Sequence, residues 1–208
     1  MRKAYSLFCW ILSFFYSKNL INQCQRFKVK TLYYSQRRYY NRKLKSSGEN
    51  IAIHEPNTIK GIQYISIGDN FKAGKYLIME AWDLHNGIRF EPKVEIGNNV
   101  SIGMFCHIAS INKIVIEDDV LIAGKVFISD HSHGKTTREE LGTPPNQRTL
   151  YSKGEIHIKK NVWVGENVSI MPGVTIGENS IIGANSVVTR NIPSNSIAFG
   201  CPARVAVR

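Results

Sequence analysis

The sequence lacks any arrangement of cysteines that would form a disulfide framework or a metal site. Four cysteines occur in 208 residues, and they do not stand at the short paired spacings of zinc sites or of small disulfide-rich domains. These cysteines are Cys9, Cys24, Cys106 and Cys201. Such unpaired cysteines indicate reduced thiols in a reducing compartment, so we predict a cytoplasmic protein.

The start of the chain lacks an apolar run long enough to cross a bilayer. Residues 4–16 are apolar except for Ser6 and Ser13, and they follow Arg2 and Lys3. As a helix these thirteen residues would cover about 20 Å, whereas the hydrocarbon core of a bilayer is about 30 Å thick. A signal peptide is the alternative, because it also has a basic start and a short apolar run. However, no small-x-small cleavage site follows.

Acidic residues are almost absent from the first fifty positions, which hold eleven Lys/Arg and one acid, Glu49. Residues 51–208 hold sixteen Lys/Arg and fifteen acids, so the net charge of +11 belongs to a basic N-terminal arm, residues 1–50. Basic and aromatic residues together favour anionic membrane surfaces. We predict a helical arm whose residues 1–45 contact the inner face of the cytoplasmic membrane. The alternative is a solvated helix that packs on a neighbouring subunit. Because the positive and negative charges of residues 51–208 nearly balance, this part of the chain offers no excess of basic residues for a nucleic acid to bind. We therefore expect no nucleic-acid partner.

A six-residue period organises the remainder of the chain. Near the C-terminus, aliphatic residues recur at every sixth position: Ile158, Val164, Ile170, Ile176, Ile182 and Val188. Neither an α-helix nor a flat strand buries one residue in six, whereas a coil with three flat faces does. The sequence therefore predicts an all-β domain over residues 51–208, a parallel β-helix of hexapeptide repeats.

The same period continues upstream in three phases. These phases comprise Ile53, Ile59 and Ile65; then Ile78, Leu84, Phe90, Ile96, Ile102, Ile108 and Ile114; and finally Ile116, Ile122 and Ile128. The slips between phases predict one extra residue near positions 69–75. They also predict two extra residues between Ile114 and Ile116, or in the turn before them.

The stretch between Ile128 and Ile158 has almost no aliphatic repeat and contains several glycines and prolines. It predicts a loop that protrudes from the coil near residues 130–155. Long loops on rigid scaffolds are usually functional or disordered. Because this loop opens with His131 and His133, a functional role is favoured.

Three C-terminal segments resemble a known enzyme superfamily. Residues 156–177, which end in VSIMPGVTIG, together with residues 182–193 and 199–205, resemble left-handed β-helix acyltransferases of the hexapeptide-repeat superfamily. Residues 126–134, VFISDHSHG, are similar to O-acetyltransferases that modify O-antigen, capsule and exopolysaccharide sugars. The resemblance implies a left-handed coil and a homotrimer. It also implies acetyl-CoA as co-substrate and a sugar or a lipid-linked glycan as acceptor.

Acetyl transfer to a hydroxyl requires a base, because an alcohol is a poor nucleophile at neutral pH. By resemblance, the catalytic histidine stands at the start of the protruding loop, where this chain has His131; His133 is the alternative. We predict that His107, His133 and Asp130 bind the acceptor. Relatives have an acceptor-binding asparagine where this chain has Cys106 and His107. Asp130 is also a candidate to orient an imidazole, although an adjacent residue is not expected to face its neighbour's ring.

The resemblance places coenzyme A along the C-terminal turns of the coil. The positions that match its binding groove are Trp163, Gly165, Glu166, Ala184, Thr189, Arg190 and Arg204. The first four match positions along the pantetheine arm, and the last three match positions near the nucleotide and its phosphates. Arginine suits phosphate, and small residues let a ligand approach the backbone. Glu166 departs from the family, in which small polar residues are common at this position.

Three other functions remain open. One is N-acetylation of an amino sugar or a serine-type acceptor. Another is a metal enzyme of the γ-type carbonic anhydrase kind, which would need His107, His131 and His133 to converge on one ion. The third is a non-catalytic scaffold, against which the two loop histidines argue. No role is predicted for the other histidines, His54, His85 and His157.

Overall fold

The computed structural model describes residues 31, 35, 38–40, 42–135 and 137–206. The chain divides into two compact units, Met1–Tyr39 and Tyr40–Arg208. The second unit thus begins eleven residues before residue 51, where the sequence predicted the start of the β-helix domain. Residues 1–30 lie outside the described residues, so the helical arm and its membrane contact stay predictions. In the described part of the chain, no helix is both long and apolar enough to cross a membrane.

Short strands follow one another along the described part of the second unit. They are β1 (Ser46–Ser47), β2 (Ala52–Ile53), β3 (Thr58–Lys60), β4 (Ile65–Ile67), β5 (Lys72–Ala73), β6 (Ile78–Ala81), β7 (Leu84–His85), β8 (Ile88–Arg89), β9 (Lys93–Ile96), β10 (Ser101–Ile102), β11 (His107–Ser110), β12 (Lys113–Ile116), β13 (Leu121–Ile122), β14 (Phe127–Ser129), β15 (Ser132–His133), β16 (Leu150–Tyr151), β17 (Ile156–Ile158), β18 (Trp163–Val164), β19 (Ser169–Ile170), β20 (Thr175–Ile176), β21 (Ile181–Ile182), β22 (Val187–Val188), β23 (Ile197–Gly200) and β24 (Ala203–Val205). Short 3-10 helices span Ile62–Tyr64, Arg138–Glu140 and Pro145–Gln147.

These strands stack into three parallel sheets that form the faces of a triangular coil. Sheet A has the order β1-β4-β9-β12-β17-β20, and sheet C has the order β22-β19-β14-β11-β6-β3. Sheet B runs β2-β5-β10-β13-β18-β21-β23-β24, and its last pair is antiparallel. Two antiparallel hairpins, β7–β8 and β15–β16, leave the coil. The predicted parallel β-helix and its protruding loop are confirmed.

Aliphatic side chains fill the coil at six-residue intervals, as the sequence predicted. The six residues from Ile158 to Val188 at this spacing are all fully buried. Parallel pairing stacks them on earlier turns, so that Ile108, Ile128 and Ile170 form one column in sheet C. The core is therefore a set of aliphatic columns that run along the coil axis.

Part of the upstream phase assignment was wrong. Ile78 and Leu84 are 37% and 51% exposed, and Met79 takes the inward position instead. Leu84 lies in the β7–β8 hairpin. Phe90 directly follows this hairpin and is only partly buried. Because the hairpin interrupts one turn of the coil, spacings of six across it have no structural meaning.

The two predicted slips had different outcomes. Both Ile114 and Ile116 are buried on β12, so the two extra residues predicted in this region are confirmed. Ile65 and Ile67 are likewise both buried on β4. The upstream slip therefore precedes Ile67, and its predicted position near residues 69–75 was wrong. In both turns the longer strand places two side chains in the core instead of one.

Asparagines form a ladder at the corner between sheets A and B. Asn179 adopts a left-handed backbone with φ of 58°, a conformation that asparagine tolerates better than most residues. Its side chain donates a hydrogen bond to Asn195 Oδ1 at 3.0 Å and accepts one from Asn161 Nδ2 at 2.9 Å. The corner thus combines a favourable backbone conformation with hydrogen bonds between successive turns.

Replacing Asn179 tests this account of the corner. Asn179→Ala and Asn179→Gly lose the same two side-chain hydrogen bonds, but only alanine is strained in the left-handed conformation. We expect the alanine variant to be less stable than the glycine variant by about 1–2 kcal/mol, measured by chemical denaturation. Equal stabilities would show that the backbone conformation does not limit this position.

Candidate active site

A cavity of about 240 Å³ lies on the outer face of sheet C. The hairpin β7–β8 forms one wall, and the base of the protruding loop, closed by β15 and β16, forms another. Four of the six histidines of the chain line it: His85, His107, His131 and His133. The structure thus brings together three histidines that the sequence predicted, and it adds His85, for which no role was predicted.

His131 is held by the carboxylate of its neighbour, Asp130. His131 Nδ1 lies 3.0 Å from Asp130 Oδ1, and the His131 side chain is 12% exposed. When Nδ1–H donates to this carboxylate, the proton of the neutral ring is on Nδ1, and Nε2 carries a free lone pair. Among the described residues, no hydrogen-bond partner is found for Nε2. The arrangement therefore suits a base that acts through Nε2.

Asp130 itself is completely buried. Its carboxylate accepts hydrogen bonds from Ser110 Oγ at 2.6 Å and from the backbone N–H groups of Ile111 at 2.9 Å and Asn112 at 3.0 Å. The predicted acceptor contact of Asp130 was therefore wrong, because its two oxygens already accept hydrogen bonds from four groups of the chain and Asp130 does not line the cavity. Asp130 is a positioning residue, and four donors keep its charge in place beneath the imidazole.

The expectation that Asp130 cannot face its neighbour's ring was also wrong. Side chains alternate along β14, so Ile128 lies in the core and Ser129 lines the cavity, and Asp130, the next residue, is completely buried. The strand ends at Ser129, and the chain turns there into the loop. This turn brings the ring of His131 back over the carboxylate.

Glu80 lies beside the histidines on the floor of the cavity. It is 9% exposed and forms an ion pair with Lys60 at 2.7 Å. His107 Nε2 lies 3.5 Å from the Glu80 carboxylate, without the geometry of a hydrogen bond. Burial raises the pKa of Glu80, but the hydrogen bond and charge of Lys60 and the charge of His107 outweigh it, and the net shift is downward.

The hairpin wall was missed from the sequence. Its two-residue turn, Asn86–Gly87, has positive φ values of 48° and 78°, as tight β-hairpins require. Asn86 Nδ2 donates to the backbone oxygen of Asn146 in the protruding loop at 2.7 Å. An Asn-Gly pair between apolar residues is a strong hairpin signal, and it could have identified this wall.

The predicted coenzyme A positions lie away from this cavity and on several parts of the coil. Gly165, Glu166 and Ala184 share the corner between sheets B and C, where a Cβ on Gly165 would come within 2.7 Å of the Ala184 nitrogen. Trp163 is half exposed on the outer face of sheet B. The Glu166 carboxylate pairs with Lys125 at 2.9 Å.

The remaining coenzyme A positions lie elsewhere. Thr189 and Arg190 follow β22 at the corner between sheets C and A, and Arg204 lies on β24 at the end of sheet B. The predicted cofactor residues therefore do not line a single groove of one chain.

A metal centre does not fit the described residues. Within them, no three His, Cys, Asp or Glu side chains are placed to hold one ion. His107, His131 and His133 share the cavity but do not converge as ligands. His157 lies outside the cavity and pairs with Glu117 at 2.6 Å.

Comparison with known proteins places the chain in a family. The family model for the bacterial transferase hexapeptide (six repeats) matches residues 155–190. Over 157 residues the chain is 39% identical to WbbJ of Escherichia coli (strain K12), named as a lipopolysaccharide biosynthesis O-acetyl transferase. The match spans 74% of this chain and 76% of WbbJ. The chain is a hexapeptide-repeat acyltransferase.

Solved structures share the fold of this acyltransferase. AntD, an N-acyltransferase from Bacillus cereus in complex with dTDP and 3-hydroxybutyryl-CoA, superposes with a TM-score of 0.68 at 22% identity. The match covers 84% of this chain and 88% of AntD. A galactoside acetyltransferase in complex with coenzyme A gives a TM-score of 0.56 at 29% identity and covers 93% of this chain and 84% of that chain. The left-handed coil implied by the resemblance is the fold of these proteins.

The lowered pKa of Glu80 predicts how the stability of the acyltransferase depends on pH. A carboxylate whose pKa is lower in the folded than in the unfolded state stabilises the fold at pH values above its pKa in the unfolded chain. This contribution to stability is lost as the pH falls through the folded pKa. We expect Glu80→Gln to destabilise the protein at pH 7, and the difference from wild type to shrink below about pH 4.5. Thermal unfolding of both proteins at several pH values measures this difference in stability.

An exposed ion pair provides the control for this experiment. Glu95 is 41% exposed and pairs with Lys113 at 3.3 Å on sheet A. We expect Glu95→Gln to change stability little at any pH, because exposed pairs contribute little. If Glu80→Gln also changes stability little at any pH, the charge of Glu80 does not stabilise the fold through Lys60 and His107.

Proposed function

We propose that this acyltransferase transfers an acetyl group from acetyl-CoA to a hydroxyl of a surface-glycan sugar, such as a precursor of O-antigen, capsule or exopolysaccharide. The observation that carries the proposal is the pair formed by buried Asp130 and His131 in the cavity on sheet C. The naming of WbbJ as an O-acetyl transferase supports a hydroxyl acceptor. The coenzyme A in the galactoside acetyltransferase structure supports the donor.

His131 acts as general base in this mechanism. Its Nε2 takes the proton of the acceptor hydroxyl as the oxygen attacks the thioester carbonyl of acetyl-CoA. The C–O bond forms, and the carbonyl oxygen becomes an oxyanion. The Asp130 carboxylate stabilises the imidazolium that results, since it lies 3.0 Å from Nδ1. When the tetrahedral intermediate collapses, the C–S bond breaks, and the imidazolium returns the proton to the thiolate of coenzyme A.

The charges of the cavity favour a hydroxyl acceptor over an amine. Among the described residues, Glu80 is the carboxylate that lines the cavity, and Lys60 already neutralises it at 2.7 Å. An amine acceptor is a cation at neutral pH and would find no unpaired negative charge there, because Asp130 is completely buried. Moving an unpaired cation out of water into the cavity would therefore cost free energy, and a neutral sugar hydroxyl avoids this cost.

Two copies of the chain supply one active site in this proposal. His131 follows a strand of sheet C, whereas Trp163 lies on the outer face of sheet B. The outer faces of a triangular prism diverge, so the base and the predicted pantetheine contact do not face one ligand within a single chain. In a homotrimer, sheet B of one copy faces the cavity of the next, and threefold symmetry gives three equal sites.

Removing the imidazole tests the catalytic role of His131. We expect His131→Ala to lower kcat by about 10²- to 10⁴-fold, because a general base typically contributes that much. Transfer is measured as release of the coenzyme A thiol in the presence of sugar acceptors. In cells, mass spectrometry should find glycans one acetyl group lighter with the variant than with wild type.

His157→Ala is the matched control, because His157 also pairs with a carboxylate but lies outside the cavity. It should leave kcat unchanged. Near-normal turnover of His131→Ala would remove this residue from the mechanism. Acetylation of amino sugars alone by the wild-type protein would contradict the hydroxyl acceptor.

Mixed trimers test the shared site. Trimers of His131→Ala alone, or of Trp163→Ala alone, should have low activity. When both variants are co-expressed, about a quarter of the sites combine an intact His131 with an intact Trp163 from the neighbour, if the chains mix at random. Recovery of roughly that fraction of wild-type turnover is expected. If both residues served a site within one chain, mixing would restore nothing.

A further inference from the structure

The β7–β8 hairpin is an addition to the coil that serves the cavity. It lies in the turn between Ala73 and Ile102, two residues that pair in sheet B. Its apolar residues Leu84 and Ile88 are 51% and 40% exposed, so burial in the core of this chain does not explain the hairpin. Its inner side places His85 in the cavity wall.

Two ring nitrogens at this cavity lack hydrogen-bond partners, although one of them, His107 Nε2, lies 3.5 Å from the Glu80 carboxylate. The Nε2 atoms of His85 and His107 are both buried, and within the described part of the chain neither has a hydrogen-bond partner. Buried polar atoms are usually hydrogen-bonded, and those that are not are often found at functional sites. Two such atoms around one cavity indicate a ligand that supplies the missing hydrogen bonds.

The geometry around His85 holds its ring in a defined position. Its ring packs edge to face against Trp82, with centroids 6.1 Å apart, and against His133, with centroids 5.8 Å apart. Asn86, the next residue, is tied to the protruding loop through Asn146. The imidazole is therefore held by both walls, as a residue that recognises a ligand must be.

The size and chemistry of the cavity fit a sugar ring. The part of the cavity within one chain has a volume of about 240 Å³, which is below the roughly 300–1,000 Å³ of sites for drug-sized ligands, so this part suits one sugar ring. An imidazole nitrogen donates or accepts a hydrogen bond, and so does a hydroxyl. Trp82 and Phe127 add aromatic surface for the apolar face of a sugar.

We propose that His85 is an acceptor-binding residue that, together with His107, holds hydroxyl groups of a single sugar ring in the cavity where His131 acts. The inference rests on the proposed function, and it names the residue that selects the acceptor. A sugar that lacks the hydroxyl bound by His85 leaves Nε2 unpaired, so the site discriminates against the corresponding deoxy sugar.

Steady-state kinetics with methyl glycosides of hexoses, deoxyhexoses and N-acetylhexosamines tests this role. His85→Phe keeps an aromatic ring between Trp82 and His133 but has no nitrogen. We expect it to raise the KM for the preferred glycoside about 10-fold or more and to leave the KM for acetyl-CoA unchanged. His85→Gln, whose amide nitrogen replaces Nε2, should restore most of the acceptor affinity. His54→Phe, a change at an exposed histidine outside the cavity, is the control.

An unchanged acceptor KM in His85→Phe would overturn the inference, as would equal increases in the KM values for acceptor and acetyl-CoA. Failure of the proposed function gives a different result. If wild type acetylates none of the glycosides, saturation-transfer NMR measures their binding to wild type and to His85→Phe. Binding that is lost in the variant supports the role of His85 without acetyl transfer. No difference between the two proteins, including an absence of binding to both, overturns it.

Discussion

The register between successive turns of the coil is the constraint on which the rest of the structure depends. Parallel pairing sets Ile108 beside Ile128 and Ile128 beside Ile170, so every turn presents an aliphatic side chain at the same point. A slip of one residue would move alternate side chains from the interior to the surface. Additional residues therefore leave the coil at its corners. The side chains of the candidate site come from these excursions and from the outer face of the sheet beneath them.

The irregularity before Ile116 has a chemical consequence. The step from Ile108 to Ile116 takes eight residues instead of six, and the extra length includes the stretch that provides three of the four hydrogen bonds to Asp130. A carboxylate inside an aliphatic coil is unfavourable unless its oxygens are hydrogen-bonded. The slip in the period thus makes room for a buried charge, and that charge orients His131.

The sequence predicted the regular parts of the molecule and the start of the loop, because each depends on local spacing. The columns through Ile170 and the start of the loop after Ile128 follow from the hexapeptide period, whereas the choice of His131 came from the resemblance to the family. Glu80 was not predicted, because pairing in sheet C sets it beside Ala109, 29 residues away along the chain. His85 was missed because Ile78, Leu84 and Phe90 are six residues apart by chance, and this segment was therefore assigned to the coil instead of to a hairpin. Periodicity reveals which residues point inward, but not which outward residues from different turns meet.

The two parts of the site are attached to the coil in different ways. The proposed base, His131, and its carboxylate belong to a corner, where backbone donors from the preceding turn fix the carboxylate. The proposed acceptor wall consists of a hairpin and a loop that contact each other through Asn86 and Asn146 and through the rings of His85 and His133. Changes in these two insertions alter the shape of the cavity without disturbing the register of the core. Under the proposed mechanism, a single coil can therefore keep one arrangement of His131 and Asp130 while its insertions adapt to different acceptors, since only the walls need to change.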